Sequence, residues 1–154
     1  MKLVFAIGLI LFSVSCLAQS PGKAKVFSSA QIRSELDQLA KQAGSKGSGG
    51  STLADYGALA LKLSARTVSG GAEIHAYFDD VMLVTEGKAT LVTGGGLIDA
   101  HTVSEGEIVG SDIRNGISQS IMTGDVIHIP AGTPHQLLIA PGTTYGALVI
   151  KVRQ

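Results

Sequence analysis

The 154-residue sequence has no tryptophan, only 5 % of it is aromatic and only 16 % is charged. So few rings and charges argue against a stacking platform for carbohydrate. The charges sum to zero, with a pI of about 6.9, so nothing points to nucleic acid or to an anionic membrane surface as a partner. Long apolar runs are missing too. The stretch from Leu3 to Leu11 is too short for a transmembrane helix, and no integral membrane span is expected. No serine sits in a nucleophile-elbow pattern, so a hydrolase triad is not suggested. Cysteine occurs once, at Cys16.

That cysteine lies in an N-terminal address. Met1-Lys2, the apolar stretch, and small residues at Cys16 and Ala18 predict a secretory signal over residues 1–18, cleaved after Ala18. The protein is thus expected to be exported, periplasmic or secreted. The rival reading is a lipoprotein signal using Cys16, against which Ser13 replaces the aliphatic residue expected three places earlier. Without residues 1–18 no cysteine remains. A disulfide framework and thiolate metal sites are then excluded, so any metal must be held by N and O ligands.

What is abundant is glycine, 20 in all, among short Val/Ile/Leu/Thr runs broken by turn signals every eight to twelve residues or so. That pattern reads as all-β, and the length suits one domain with a real core. Residues 19–52 read as a tail, a helix and a linker. Ser28 with Gln31 fits a capping box, and Ile32, Leu36, Leu39 and Ala43 recur at helical spacing, predicting an amphipathic helix from about Ser29 to Gln42. It is expected to pack outside the β-domain or to mediate association. Gly44 to Gly50 reads as a flexible linker. Its glycines do not make a phosphate loop, since the lysine is misplaced and no strand precedes.

Residues 53–154 carry the strands. Runs are expected at Tyr56–Val68, Glu73–Phe78, Val81–Thr85, Ala89–Thr93, Ile117–Met122, Val126–Ile129, Gln136–Ile139 and Tyr145–Val152. Asp99–Asn115 is polar and poorly periodic and reads as a long loop over a barrel mouth. Alternation places Glu73, His75 and Tyr77 on one strand face. If that face is interior, an acid, an imidazole and a phenol share a cavity, and buried ionisable groups there need partners or a metal.

The most organised stretch is Gly124 to His135, where Pro130 and Gly132 force a corner between two strands. Its order is glycine, five residues, proline, one residue, glycine, two residues and histidine. This resembles the second signature motif of the cupins. The first motif is partly matched upstream: His75 stands for its first histidine, Tyr77 stands where a second histidine is usual, and Asp80, six residues before Gly87, takes the place of its glutamate. Ile139 stands where the second motif often has asparagine.

The resemblance implies a single cupin-type antiparallel β-barrel, or double-stranded jelly roll, with one N-terminal helix. It also implies a divalent metal ion on His75, His135 and a carboxylate, from Asp80 or alternatively Glu73. Two nitrogens and one oxygen suit Fe(II) with open positions and are compatible with Mn, Zn, Ni or Cu. Tyr77 is a candidate to move a proton or bind ligand. His128 is a spare ligand candidate, His101 reads as solvated, and Ser118, Gln119 and Ser120 are weak candidates for the pocket lining. The expected function is an exported metal-binding protein acting on a small molecule, dioxygenase- or isomerase-like. The alternative is a non-enzymatic ligand-binding module with a degenerate metal site. Cupins associate through their sheets, so a homodimer is a further expectation.

Overall fold

A computed structural model describes residues 22–154; the expected signal over residues 1–18, with Cys16, lies outside the described residues. Helix α1 runs from Ser29 to Ala43, and Ser28 Oγ caps it by accepting from Gln31 N at 3.1 Å. Its apolar stripe is spent locally. Leu36 and Leu39 are buried, with Ile32 and Ala40, against Leu53, Leu63, Ala65 and Leu148. The helix therefore packs on the outside of the β-domain. Among the described residues no helix is long and apolar enough to cross a membrane.

Thirteen strands follow. They are β1 (Ser48–Asp55), β2 (Leu59–Arg66), β3 (Ala72–His75), β4 (Phe78–Glu86), β5 (Lys88–Thr93), β6 (Gly96–Ile98), β7 (His101–Ser104), β8 (Glu107–Gly110), β9 (Asp112–Arg114), β10 (Ile117–Met122), β11 (Val126–Ile129), β12 (His135–Leu138) and β13 (Tyr145–Arg153). One sheet has the order β1-β2-β13-β4-β11, the other β10-β5-β12-β3-β8-β7, and β6 and β9 form a small ribbon. Their neighbours run antiparallel, as β13 does against both β2 and β4. This is the all-β jelly roll with one helix.

Period-two alternation sends every second side chain inward, and the inward rows change character along their length. On β4 the buried row passes from Val84 and Met82 to Asp80. On β13 it passes from Tyr145, Ala147 and Val149 to Lys151 and Arg153, and on β12 from Leu137 to His135. The apolar ends join Ala89, Leu91, Ile121, Ile129 and Ile139 in one core, each large aliphatic side chain contributing about 1.5–3 kcal/mol by burial. The polar ends line a cavity of about 790 Å³ whose wall also includes Met82, Leu137, Tyr145, Ala147 and Val149. The site is thus walled in part by the core.

Three segments differ from expectation. The supposed linker is flexible only in composition. Gly44–Lys46 form a turn of 3₁₀ helix and Ser48 already pairs with Arg66 in β1. Gly49 is there for closeness, since a Cβ on it would lie 2.7 Å from the Leu39 carbonyl oxygen under the helix. Glu73–Phe78 is two strands in different sheets, β3 and β4, joined at Ala76-Tyr77. Ala76 N donates to Gly106 O at 2.7 Å, and Tyr77 O accepts from Gln154 N at 3.0 Å. The long loop holds β7, β8 and β9. These rim strands are exposed or half-buried, so they lack the alternation that marks a strand in sequence.

Candidate metal centre

His75 ends β3 and His135 begins β12. The two strands are neighbours, with Glu73 opposite His135. The imidazole centroids lie 5.2 Å apart at a tilt of 55°. Each ring is anchored through Nδ1. His135 Nδ1 donates to the Thr133 carbonyl at 2.9 Å, a bond made by the Gly132-Thr133-Pro134 corner itself. His75 Nδ1 donates to the Glu107 carboxylate at 2.5 Å. When the rings are neutral, both Nε2 lone pairs are left facing the cavity. Histidine ligands are ordinarily oriented in this way, by a carbonyl or carboxylate on the far nitrogen.

Two carboxylates meet those nitrogens. Glu73 approaches His135 Nε2 at 3.5 Å and His75 Nε2 at 3.9 Å. Asp80 Oδ2 is 3.5 Å from His75 Nε2 and 4.0 Å from His135 Nε2, while its Oδ1 accepts from Lys151 Nζ at 2.7 Å. One ligand atom from each of Glu73, His75 and His135 lies within 4.8 Å of the others. Both carboxylates named from the sequence therefore reach the imidazole pair. Glu73 completes the compact trio, and Asp80 stands beside it with one oxygen committed to Lys151.

The electrostatics bind acid to imidazole. Burial pushes the Glu73 carboxyl upward, but His135, then His75 and Arg66, outweigh it and bring its pKa down to about 2. Burial pushes His135 down, and the Glu73 carboxylate, the Thr133 carbonyl and Asp80 outweigh that, so its pKa is raised. Each thereby favours the charged form of the other. A divalent cation would take the place of the shared proton, and the donor set of two imidazole nitrogens with one or two carboxylate oxygens fits such an ion with positions to spare.

Other candidates fall elsewhere. Tyr77 lies in the turn between the sheets, 45 % exposed and away from the cavity, its ring against Gly106. The predicted shared face holds for Glu73 and His75 and fails for Tyr77, because β3 stops at His75. His128 points outward to Asp79, with Nε2 2.9 Å from Oδ2. His101 is exposed, as are Ser118, Gln119 and Ser120 on the outward-facing β10. Ile139 is buried in the core. Two participants escaped the sequence reading. Glu107 fell in the supposed loop, and only the β3–β8 register brings it to His75. Lys151 had a readable signal, a lone charge inside the apolar run from Ala147 to Val152.

No protein-family model and no curated protein matches the sequence. Solved structures do match in shape. A protein with a double-stranded β-helix domain from Klebsiella pneumoniae superposes with a TM-score of 0.59 at 13 % identity, covering 85 % of this chain and 91 % of its own. The polyketide cyclase RemF from Streptomyces resistomycificus gives 0.51 at 24 % identity, covering 71 % of this chain and 67 % of its own. The cupin domain of Cnp3 from Schizosaccharomyces pombe gives 0.52 at 7 % identity over 70 % of this chain and 65 % of its own. The molecule is thus a double-stranded β-helix. Its fold is that of the cupins.

Proposed function

We propose that this protein binds one divalent metal ion through His75, His135 and Glu73, and acts on a small molecule in the adjoining cavity. The observation that carries this is the pair of anchored rings, both Nδ1 atoms engaged and both Nε2 atoms turned to the same carboxylates. Shape alone does not select a reaction, because this fold hosts many. When bound, the ion would supply a Lewis acid for a substrate oxygen. Asp80 offers a carboxylate oxygen beside that position, and Lys151 holds the other oxygen of the same group. A fixed carboxylate next to a polarised oxygen suits proton abstraction and return, an isomerase-like reaction rather than oxidation.

Metal analysis of protein purified without chelator or nickel resin tests this. Near-stoichiometric metal that falls below a tenth in His75→Ala and His135→Ala supports the reading. Metal-free, folded wild-type protein contradicts it. The second reading is a non-enzymatic ligand-binding module. It draws on the cations beside both carboxylates, Arg66 at 3.9 Å from Glu73 and Lys151 on Asp80, which compete with a metal for those oxygens.

Export through residues 1–18 belongs to the same proposal and is read from the N-terminus of protein recovered outside the cytoplasm. So does association of two copies. Exposed Ile117, Met122 and Val126 on β10 and β11 offer apolar surface for it, and sedimentation would count the copies.

A further inference from the structure

Arg66 enters the cavity from β2 with a charge that the protein leaves largely unmatched. Its Nη2 is 3.9 Å from Glu73 Oε1, beyond hydrogen-bond length, and it shares that carboxylate with His135 at 3.5 Å and His75 at 3.9 Å. Its Nε is buried and has no protein partner. Its cross-strand neighbour on β13 is Tyr145, a fully buried phenol whose hydroxyl also lacks a partner. Both atoms have essentially no accessible surface, so a ligand in the cavity meets the guanidinium through its terminal nitrogens. Room for the guanidinium is made by Gly70, where a Cβ would lie 2.2 Å from Arg66 Nη1. A donor group has been given a cradle, a neutral backing and no acceptor.

We propose that Arg66, seated in the space left by Gly70 and backed by Tyr145, anchors the carboxylate of a small organic acid beside the metal centre. The planar guanidinium fork matches a carboxylate with two parallel, charge-assisted hydrogen bonds, which an uncharged ligand meets less well. Burial pushes Tyr145 up to about 12, with Arg66 pulling the other way, so the phenol stays a neutral donor. Cationic and anionic side chains line the cavity in equal number, and a divalent ion would tip that balance toward anionic ligands. Glu73 bridges the distances, 3.9 Å to Arg66 and 3.5 Å to His135 Nε2, so an acid held on Arg66 lies a few bonds from the imidazoles. That the acid offers another oxygen to the metal rests on the metal reading above; the carboxylate subsite does not.

Calorimetric titration of the purified protein tests this, with metal content measured on the same samples. Malate, succinate and 2-oxoglutarate are the probes, with succinamide as the uncharged control. At least one acid is expected to bind with a Kd of about 1 mM or tighter, and succinamide more weakly. Arg66→Gln should weaken that acid roughly tenfold or more with metal content unchanged. If Arg66→Gln loses its β-sheet signal, Gly70→Ala takes its place, keeping the charge while pushing the guanidinium aside. Wild-type affinity in the folded variant overturns the proposal. So does equal binding of succinamide, or no saturable binding by any acid at ~10 mM. Metal-free wild-type protein that still binds an acid through Arg66 upholds the subsite and overturns the metal reading alone.

Discussion

Glu107 shows how a single side chain can govern a metal centre without facing the ion. By accepting from His75 Nδ1 it fixes which nitrogen faces the cavity. Glu107→Gln keeps the shape but replaces a charged acceptor with a neutral one. Metal affinity is expected to fall about 10–100-fold, read by chelator competition, with thermal stability little changed. The Glu73–His135 pair gives a second residue-level prediction, for the metal-free protein. Glu73 is held near 2 against an ordinary 4.5, so its stabilisation is present above pH 4.5 and is lost as pH falls toward 2. His135 is raised above 6.5, so its stabilisation is present below 6.5 and is lost as pH rises through the raised value. Thermal melts of metal-free protein should therefore find this pair's full contribution between about pH 4.5 and 6.5. The alkaline loss should vanish in His135→Gln. A melt profile unchanged by that substitution contradicts the pairing.

At the scale of elements, β1 and the helix above it behave as one unit. Leu36, 2 % exposed, fills the space over Leu63 and Ala65. Leu36→Ala should cost about 2–5 kcal/mol in urea unfolding and leave metal content intact, because the contact is on the far side of the sheet from the cavity. The helix was legible in the sequence, since a capping serine and a 3.6-residue stripe both act locally. The strand beneath it was not. Gly49 suits close approach to a helix as well as it suits a linker, and only the packing distinguishes the two. Tyr77 failed for a related reason: alternation identifies a face only while the strand continues, and the step from β3 to β4 is made by hydrogen bonds to Gly106 and Gln154, distant in sequence. His135 was legible because its corner is built from Pro130, Gly132 and Pro134 within a few residues. Glu107 and Arg66 were not, since each reaches the site through a strand register that no local pattern encodes.

For the whole molecule, the change along the inward rows of β4, β12 and β13 from apolar to ionisable side chains carries the account. Their ionisable ends meet as acid, imidazole and cation. A metal that binds the folded protein alone should stabilise it in proportion to the logarithm of its concentration. The melting temperature of wild-type protein is thus expected to climb with added divalent metal, while that of His75→Ala with His135→Ala stays flat. The most direct measurement is anomalous diffraction from crystals of natively purified protein, collected across the metal's absorption edge. The account predicts one peak about 2.0–2.3 Å from both His75 Nε2 and His135 Nε2, with Glu73 among its oxygen ligands. Electron density showing those two nitrogens joined only to Glu73 and Asp80, with no anomalous peak between them, would contradict it.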